Sequence, residues 1–247
     1  MKYDIIVCGD SFSSAPINGN PKTGERDHYS QILNDRYGYR VLNLARGGMS
    51  NLGICFQMRE AVQIGCKYVI YHKTWSSRVN LVLNKNFSIE QGLKNFLYPF
   101  VIDESTYCGF VVHNTDVATD QRIQTQDNKA AIFSTVWQEL DKNPAVKISK
   151  DQIQAIDAYL RHLFHEGLQD EVDSWMFQHW HQQILKCGMI PIELTKTNFA
   201  EPMFNYYKTG KPENDPYHTD TDTQELMAYR IDQMLQQFGG KSGLDEG

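Results

Sequence analysis

The chain has 247 residues, 41% of them hydrophobic and 22% charged, enough for one large α/β domain spanning 1–247 with insertions and an ample core. Its formal net charge is −6 with no basic run, which argues against a nucleic-acid backbone as partner. No apolar stretch is long enough to span a bilayer, and none follows Met1-Lys2 as a signal-peptide core would, so a cytoplasmic protein without a membrane span is expected.

In chain order, Tyr3-Asp4-Ile5-Ile6-Val7-Cys8 is short, apolar and rich in β-branched residues, and predicts a buried parallel strand that ends at Gly9. Tyr29, Ile32, Leu33 and Tyr37 recur at helical spacing, closed by Gly38. The strand Arg40-Val41-Leu42-Asn43-Leu44 follows, then a helix capped by Ser50 or Asn51 and running to about Ile64, then the strand Tyr68 to His72. This βαβαβ opening predicts a parallel sheet with right-handed crossovers.

From about Ser76 to Ser149 the pattern becomes irregular and rich in Asn, Thr, Asp and Gln. An insertion of that size is expected either to cover the strand ends as a lid or substrate-selecting region, or to be a surface excursion without a role in chemistry. Asp151 then caps a helix carrying Ile153, Ile156, Leu160, Leu163 and Phe164. A second helix carries Val172, Trp175, Met176, Trp180 and Ile184 and stops at Cys187-Gly188, before a strand from Met189 to Leu194. After a loop with Pro202, Gly210 and Pro212, Thr221 and Gln224 form a capping-box pattern ahead of Met227, Ile231, Met234 and Leu235. Residues 239–247 read as a frayed tail.

Two short segments carry the chemistry. Gly9-Asp10-Ser11-Phe12-Ser13 places a hydroxyl just past the first strand, at the end of the sheet where α/β proteins bind ligands, and Gly9 lets the backbone turn sharply and approach a ligand closely. Asp215-Pro216-Tyr217-His218 puts an acid and an imidazole on one turn stiffened by proline, so the carboxylate can take the Nδ1 proton and leave Nε2 as a base. Together they supply the minimum set for nucleophilic acyl transfer. Taken singly, each segment is also an ordinary turn or a set of helix caps.

Other candidates are weaker. The five cysteines, at 8, 55, 66, 108 and 187, have no Cys-x-x-Cys spacing, which argues against disulfides and zinc. His162, His165, His179 and His181 lack a Cys or Glu partner at ligand spacing, and Asp215, His218, Asp220 and Asp222 lack the oxygens and glycine turn of a hard-cation loop. Gly19 to Gly24 lacks the Gly-Lys-Ser/Thr ending of a phosphate loop. Arg46 and Arg78 follow predicted strand ends, where either could bind an anionic group of a substrate or form a surface salt bridge.

With these motifs the sequence resembles the SGNH hydrolases, the GDSL esterases and lipases. The resemblance implies a flavodoxin-like three-layer α/β/α domain. Its first block matches Gly9-Asp10-Ser11-Phe12-Ser13, with Ser11 as nucleophile and oxyanion-hole donor. The second matches Asn43 through Ser50, with Gly48 as the oxyanion glycine, and the last matches Asp215 and His218 as acid and base.

The third block departs. Where the family has Gly-x-Asn-Asp, this chain reads Lys73-Thr74-Trp75-Ser76-Ser77-Arg78, without the asparagine that donates to the oxyanion. Losing one such donor typically costs about 3–4 kcal/mol of transition-state stabilisation. Trp75, Thr74 and Asn51 are the candidates to replace it, and Asp10, Arg46 and Arg78 join them as possible substrate contacts.

The resemblance implies a cofactor-independent serine esterase acting on an O-acetyl or other short acyl ester of a small molecule or carbohydrate. Two alternatives stand beside it: a catalytically silent protein of the same fold that binds a carbohydrate or a protein partner, and an acyltransferase using the same serine.

Overall fold

A computed structural model describes residues 2–10, 13–14, 28–46, 49–74, 76, 78–85, 97–102, 105–113, 151, 155, 158–159, 162–194 and 221–239, with backbone alone for 79–85, 97–102, 105–113 and 221–223. The chain divides into two compact units, Met1–Gly47 with Ile54–Lys73 and Gln178–Gly247, and Gly48–Gly53 with Thr74–Phe177.

The first unit is built on strands β1 (Ile5–Cys8), β2 (Val41–Asn43), β3 (Tyr68–Tyr71) and, late in the chain, the strand Ile190–Glu193. All pair in parallel, with β1 between β2 and β3 and the late strand outside β3. Ile5 lies level with Val41 and Tyr68, and Val7 with Asn43 and Ile70.

Helices cover both faces, giving a three-layer α/β/α fold. Alternate strand residues face opposite ways. Ile5, Val7, Tyr68, Ile70 and Ile192 share a core with Tyr29, Ile32 and Leu33 of helix α1 (Tyr29–Asp35) and with Met227, Ile231 and Leu235 of the last helix (Thr221–Gln237). On the other face Cys8 and Tyr71 lie near Cys55 of α2 (Asn51–Ile64), and Tyr71 reaches His181 near the end of α3 (Glu166–Lys186). Gly65 and Gly188 adopt φ of 77° and 74° just past α2 and α3, a conformation that favours glycine.

The start of α2 follows the sequence reading and that of the last helix departs from it. Ser50 caps α2, its Oγ accepting the Gly53 N–H at 3.2 Å, so Asn51 is the first helical residue. The last helix, α4, begins at Thr221, which makes Thr221 its first residue and not its cap. The helix expected after Asp151 is present at Asp151, Ala155, Ala158, Tyr159 and His162.

In the second unit, part of the stretch expected to be irregular is an antiparallel sheet. Strands β4 (Arg78–Lys85), β5 (Leu97–Ile102) and β6 (Ser105–His113) lie in the order β4-β6-β5, and the late parallel strand Ile190–Glu193 is therefore β7. A register shift between Val82 and Asn84 breaks the period-two pattern of β4, and Pro99 and Gly109 lower the strand signal of β5 and β6. Residues 77, 86–96, 103–104 and 114–149, the rest of the expected lid, lie outside the described residues. Among the described residues no helix is long and apolar enough to cross a membrane.

Candidate functional site

Strand order locates the crevice of the first unit. From β1 the chain moves to β2 on one side and then to β3 on the other, so the switch point lies between the carboxyl ends of β1 and β3. Asp10 follows β1 there and His72 follows β3. Asp10 Oδ1 and His72 Nε2 are 2.8 Å apart, and His72 Nδ1 is 3.0 Å from Ser13 Oγ. The Tyr29 hydroxyl donates to Ser13 Oγ at 2.8 Å.

Proton positions follow from what each group can do. A carboxylate only accepts, so Nε2 carries a proton toward Asp10, and in the neutral ring the bare Nδ1 accepts from Ser13. The Asp10 N–H also faces Nε2, at 3.5 Å, but the shorter, charge-assisted contact with the carboxylate sets the tautomer. Burial raises the pKa of the Tyr29 phenol, so it stays a donor. The result is a one-way chain from Tyr29 through Ser13 and His72 to Asp10.

The backbone around it is held as firmly. Gln57 accepts the Gly9 N–H at 2.7 Å and donates to the Gly9 carbonyl at 3.2 Å. Ser13 and Ser14 donate their N–H groups to the Asp10 carbonyl at 3.1 and 2.9 Å, and Asn43 Nδ2 donates to the Ser13 carbonyl at 2.7 Å and to Ser30 Oγ at 3.0 Å. Gly9 is needed for space: a Cβ there would clash with His72 Cε1 and stand 2.7 Å from Nδ1 and 2.8 Å from Ser13 Cβ. The group that approaches Gly9 closely is the chain's own His72 imidazole, where the sequence suggested approach to a ligand.

Tyr29 ties this cluster to the end of the chain. Its N–H donates to Gln224 Oε1 in the first turn of α4 at 2.9 Å, and Gln224 is buried. The glutamine read as a capping partner for its own helix is therefore a bridge to α1.

Ser13, His72 and Asp10 repeat the order of contacts in a hydrolytic triad. Ser13, however, is only 1% exposed and its oxygen already accepts from Tyr29, so an acyl carbon has no approach to it. The cluster is better suited to hold the turn after β1 than to react.

Of the expected site residues, Ser11, Gly48, Trp75, Asp215 and His218 lie outside the described residues. Asp10 is in the cluster and fully buried. Arg46 is exposed, and its N–H donates to the Gly9 carbonyl at 3.2 Å.

Asn51, Thr74 and Arg78 belong to the second unit. Asn51 Oδ1 accepts the Thr74 N–H at 2.8 Å, while Nδ2 donates to the Thr74 carbonyl at 3.1 Å and to Asp173 Oδ2 at 2.6 Å. Both amide hydrogens of Asn51 are engaged in this clip. Arg78 is buried and donates to the Met49 carbonyl at 2.9 Å.

Sequence reading missed His72, which it treated only as the end of a strand. The available signal was a titratable residue closing the buried run Tyr68-Val69-Ile70-Tyr71, with a glycine at the end of the neighbouring strand. No protein-family model matches the chain, and no curated protein matches it.

Proposed function

We propose that this chain is an SGNH-like serine esterase in which Ser11 is the nucleophile, His218 the general base and Asp215 the acid that orients it. The observation that carries the reading is the path from Ser13 through Tyr29 to Gln224. Ser13 is two residues after Ser11 and Gln224 is six after His218, so one buried tyrosine joins supports of two segments at opposite ends of the sequence. The switch-point position of the turn after β1 supports the same reading.

In this mechanism Ser11 Oγ attacks the ester carbonyl carbon while His218 takes its proton, and the resulting oxyanion is held by the N–H groups the resemblance assigns, those of Ser11 and Gly48. Collapse breaks the carbon–oxygen bond to the leaving alcohol, which receives the proton from His218. Water, deprotonated by His218, then attacks the acyl-serine and returns the enzyme with a carboxylic acid as product. The substrate is a small-molecule or carbohydrate ester met in the cytoplasm, and no step needs a cofactor.

The test is labelling with a fluorophosphonate probe, with the adduct located by mass spectrometry. Adduct on Ser11 that is lost in Ser11→Ala and His218→Ala supports the reading. No adduct, under conditions that label a control esterase, replaces it with a binding protein of the same fold, and adduct on Ser13 moves the nucleophile. For an enzyme that labels, adding an alcohol acceptor to the ester assay separates hydrolase from transferase.

A further inference from the structure

We propose that His72 is a positioning residue for the turn that follows β1, acting as a neutral imidazole that accepts from Ser13 and donates to Asp10. Asp10 and Ser13 flank Ser11 in sequence, and the same ring holds both side chains. The ring packs against the backbone of Gly9, where any side chain would displace it. The Asp10 carboxylate can only accept, which puts a proton on Nε2, and the Tyr29 phenol donates into Ser13, which leaves the Ser13 hydroxyl hydrogen free to point at Nδ1. The turn is closed by the Ser13 and Ser14 N–H groups on the Asp10 carbonyl, so those two amides report whether it is held.

The kinetic part of this inference rests on Ser11 being the nucleophile, while the geometry of the turn does not. The test compares wild type, His72→Phe, which removes both hydrogen bonds, and His72→Gln, which keeps a donor for Asp10. Three readouts are taken: imidazole nitrogen NMR of His72 in the wild type, amide exchange at Ser13 and Ser14, and the phosphonylation rate of Ser11 resolved from probe affinity.

The expected results are a proton on Nε2 and none on Nδ1, and faster exchange at Ser13 and Ser14 in His72→Phe with protection partly restored in His72→Gln. In a protein that labels, phosphonylation falls by about a hundredfold in His72→Phe at unchanged probe affinity, the scale of effect that slight misplacement of a reacting group produces. A proton on Nδ1, or a folded His72→Phe protein with wild-type exchange, overturns the inference. So does wild-type phosphonylation of Ser11 in that variant. Failure of the wild type to label overturns the esterase reading alone, and the NMR and exchange measurements then decide the role of His72.

Discussion

Asp10 and His72 are 62 residues apart in sequence and 2.8 Å apart in space, each at the end of a parallel strand beside the other. Parallel pairing of β1 with β3 brings the two residues to the same end of the sheet, because Cys8 and Tyr71 are level and the chain leaves both strands in the same direction. Two adjoining strand ends thus share one buried polar bridge, and Gly9 leaves the room for it.

Replacing Gly9 with alanine tests that packing. The added methyl would overlap His72 Cε1 and crowd Nδ1 and Ser13 Cβ, all parts of a buried and hydrogen-bonded cluster. Gly9→Ala is expected to destabilise the protein by about 1–3 kcal/mol, the usual cost of overpacking, as measured by denaturant unfolding. Gly9→Ala combined with His72→Ala should recover part of that loss, since the obstructing ring is gone.

Gln224 is expected to matter more than its place in an ordinary helix suggests. Gln224→Leu removes the acceptor of the buried Tyr29 N–H and should cost about 1–3 kcal/mol in equilibrium unfolding, whereas Gln224→Glu keeps an acceptor and should cost less. Equal losses in both variants would show that volume, and not the hydrogen bond, sets the effect.

Asn51 joins the start of α2 to Thr74 and Asp173. Asn51→Leu leaves the Thr74 N–H and carbonyl without these partners, with an expected loss of about 1–3 kcal/mol in denaturant unfolding. Asn51→Asp should fare no better, because it places a second carboxylate against Asp173.

The thiols predict a chemical pattern and a pH trend. Burial pushes Cys66 up to about 11 and Cys8 well above its ordinary 9.0. Unfolded thiols release their protons first, so the folded state holds more protons between pH 9.0 and about 11, and stability falls across that window. Denaturant midpoints should therefore be unaffected by these groups below pH 9.0 and decline as pH rises through about 11. Peptide mapping after brief alkylation near pH ~8 should find Cys187 modified and Cys8, Cys55 and Cys66 protected, since only Cys187 of these four is exposed.

The parallel sheet was legible because its strands are written as compact apolar runs. The runs Tyr3 to Cys8, Arg40 to Leu44, Tyr68 to His72 and Met189 to Leu194 each contain the observed strand, and α2 extends from Asn51 to Ile64 as its pattern predicts. The antiparallel sheet was hidden because the shift at Val82/Asn84 changes which face successive residues present. Amphipathic spacing was no guide to exposure along α3: Trp175 is 63% exposed although it recurs with buried Ile184 in the helical pattern.

The polar cluster was legible only in halves. Asp10 and Ser13 belong to a recognisable motif, but nothing near Tyr71 announces that His72 will turn toward them. Gln224 carried a local explanation, capping, that competed with its long-range partner. Local patterns report local hydrogen bonds well, and a bond made across the chain leaves no spacing to read.

The core that joins Ile5 and Val7 to Met227, Ile231 and Leu235 also fixes an order of events during synthesis. β1 leaves the ribosome more than two hundred residues before α4, so α1 can cover part of the Ile5 and Val7 face early while the part that packs on Met227, Ile231 and Leu235 stays uncovered until α4 is made. Completion of that core waits for α4, and until residue 221 emerges the unpaired part of the face is open to association with other chains.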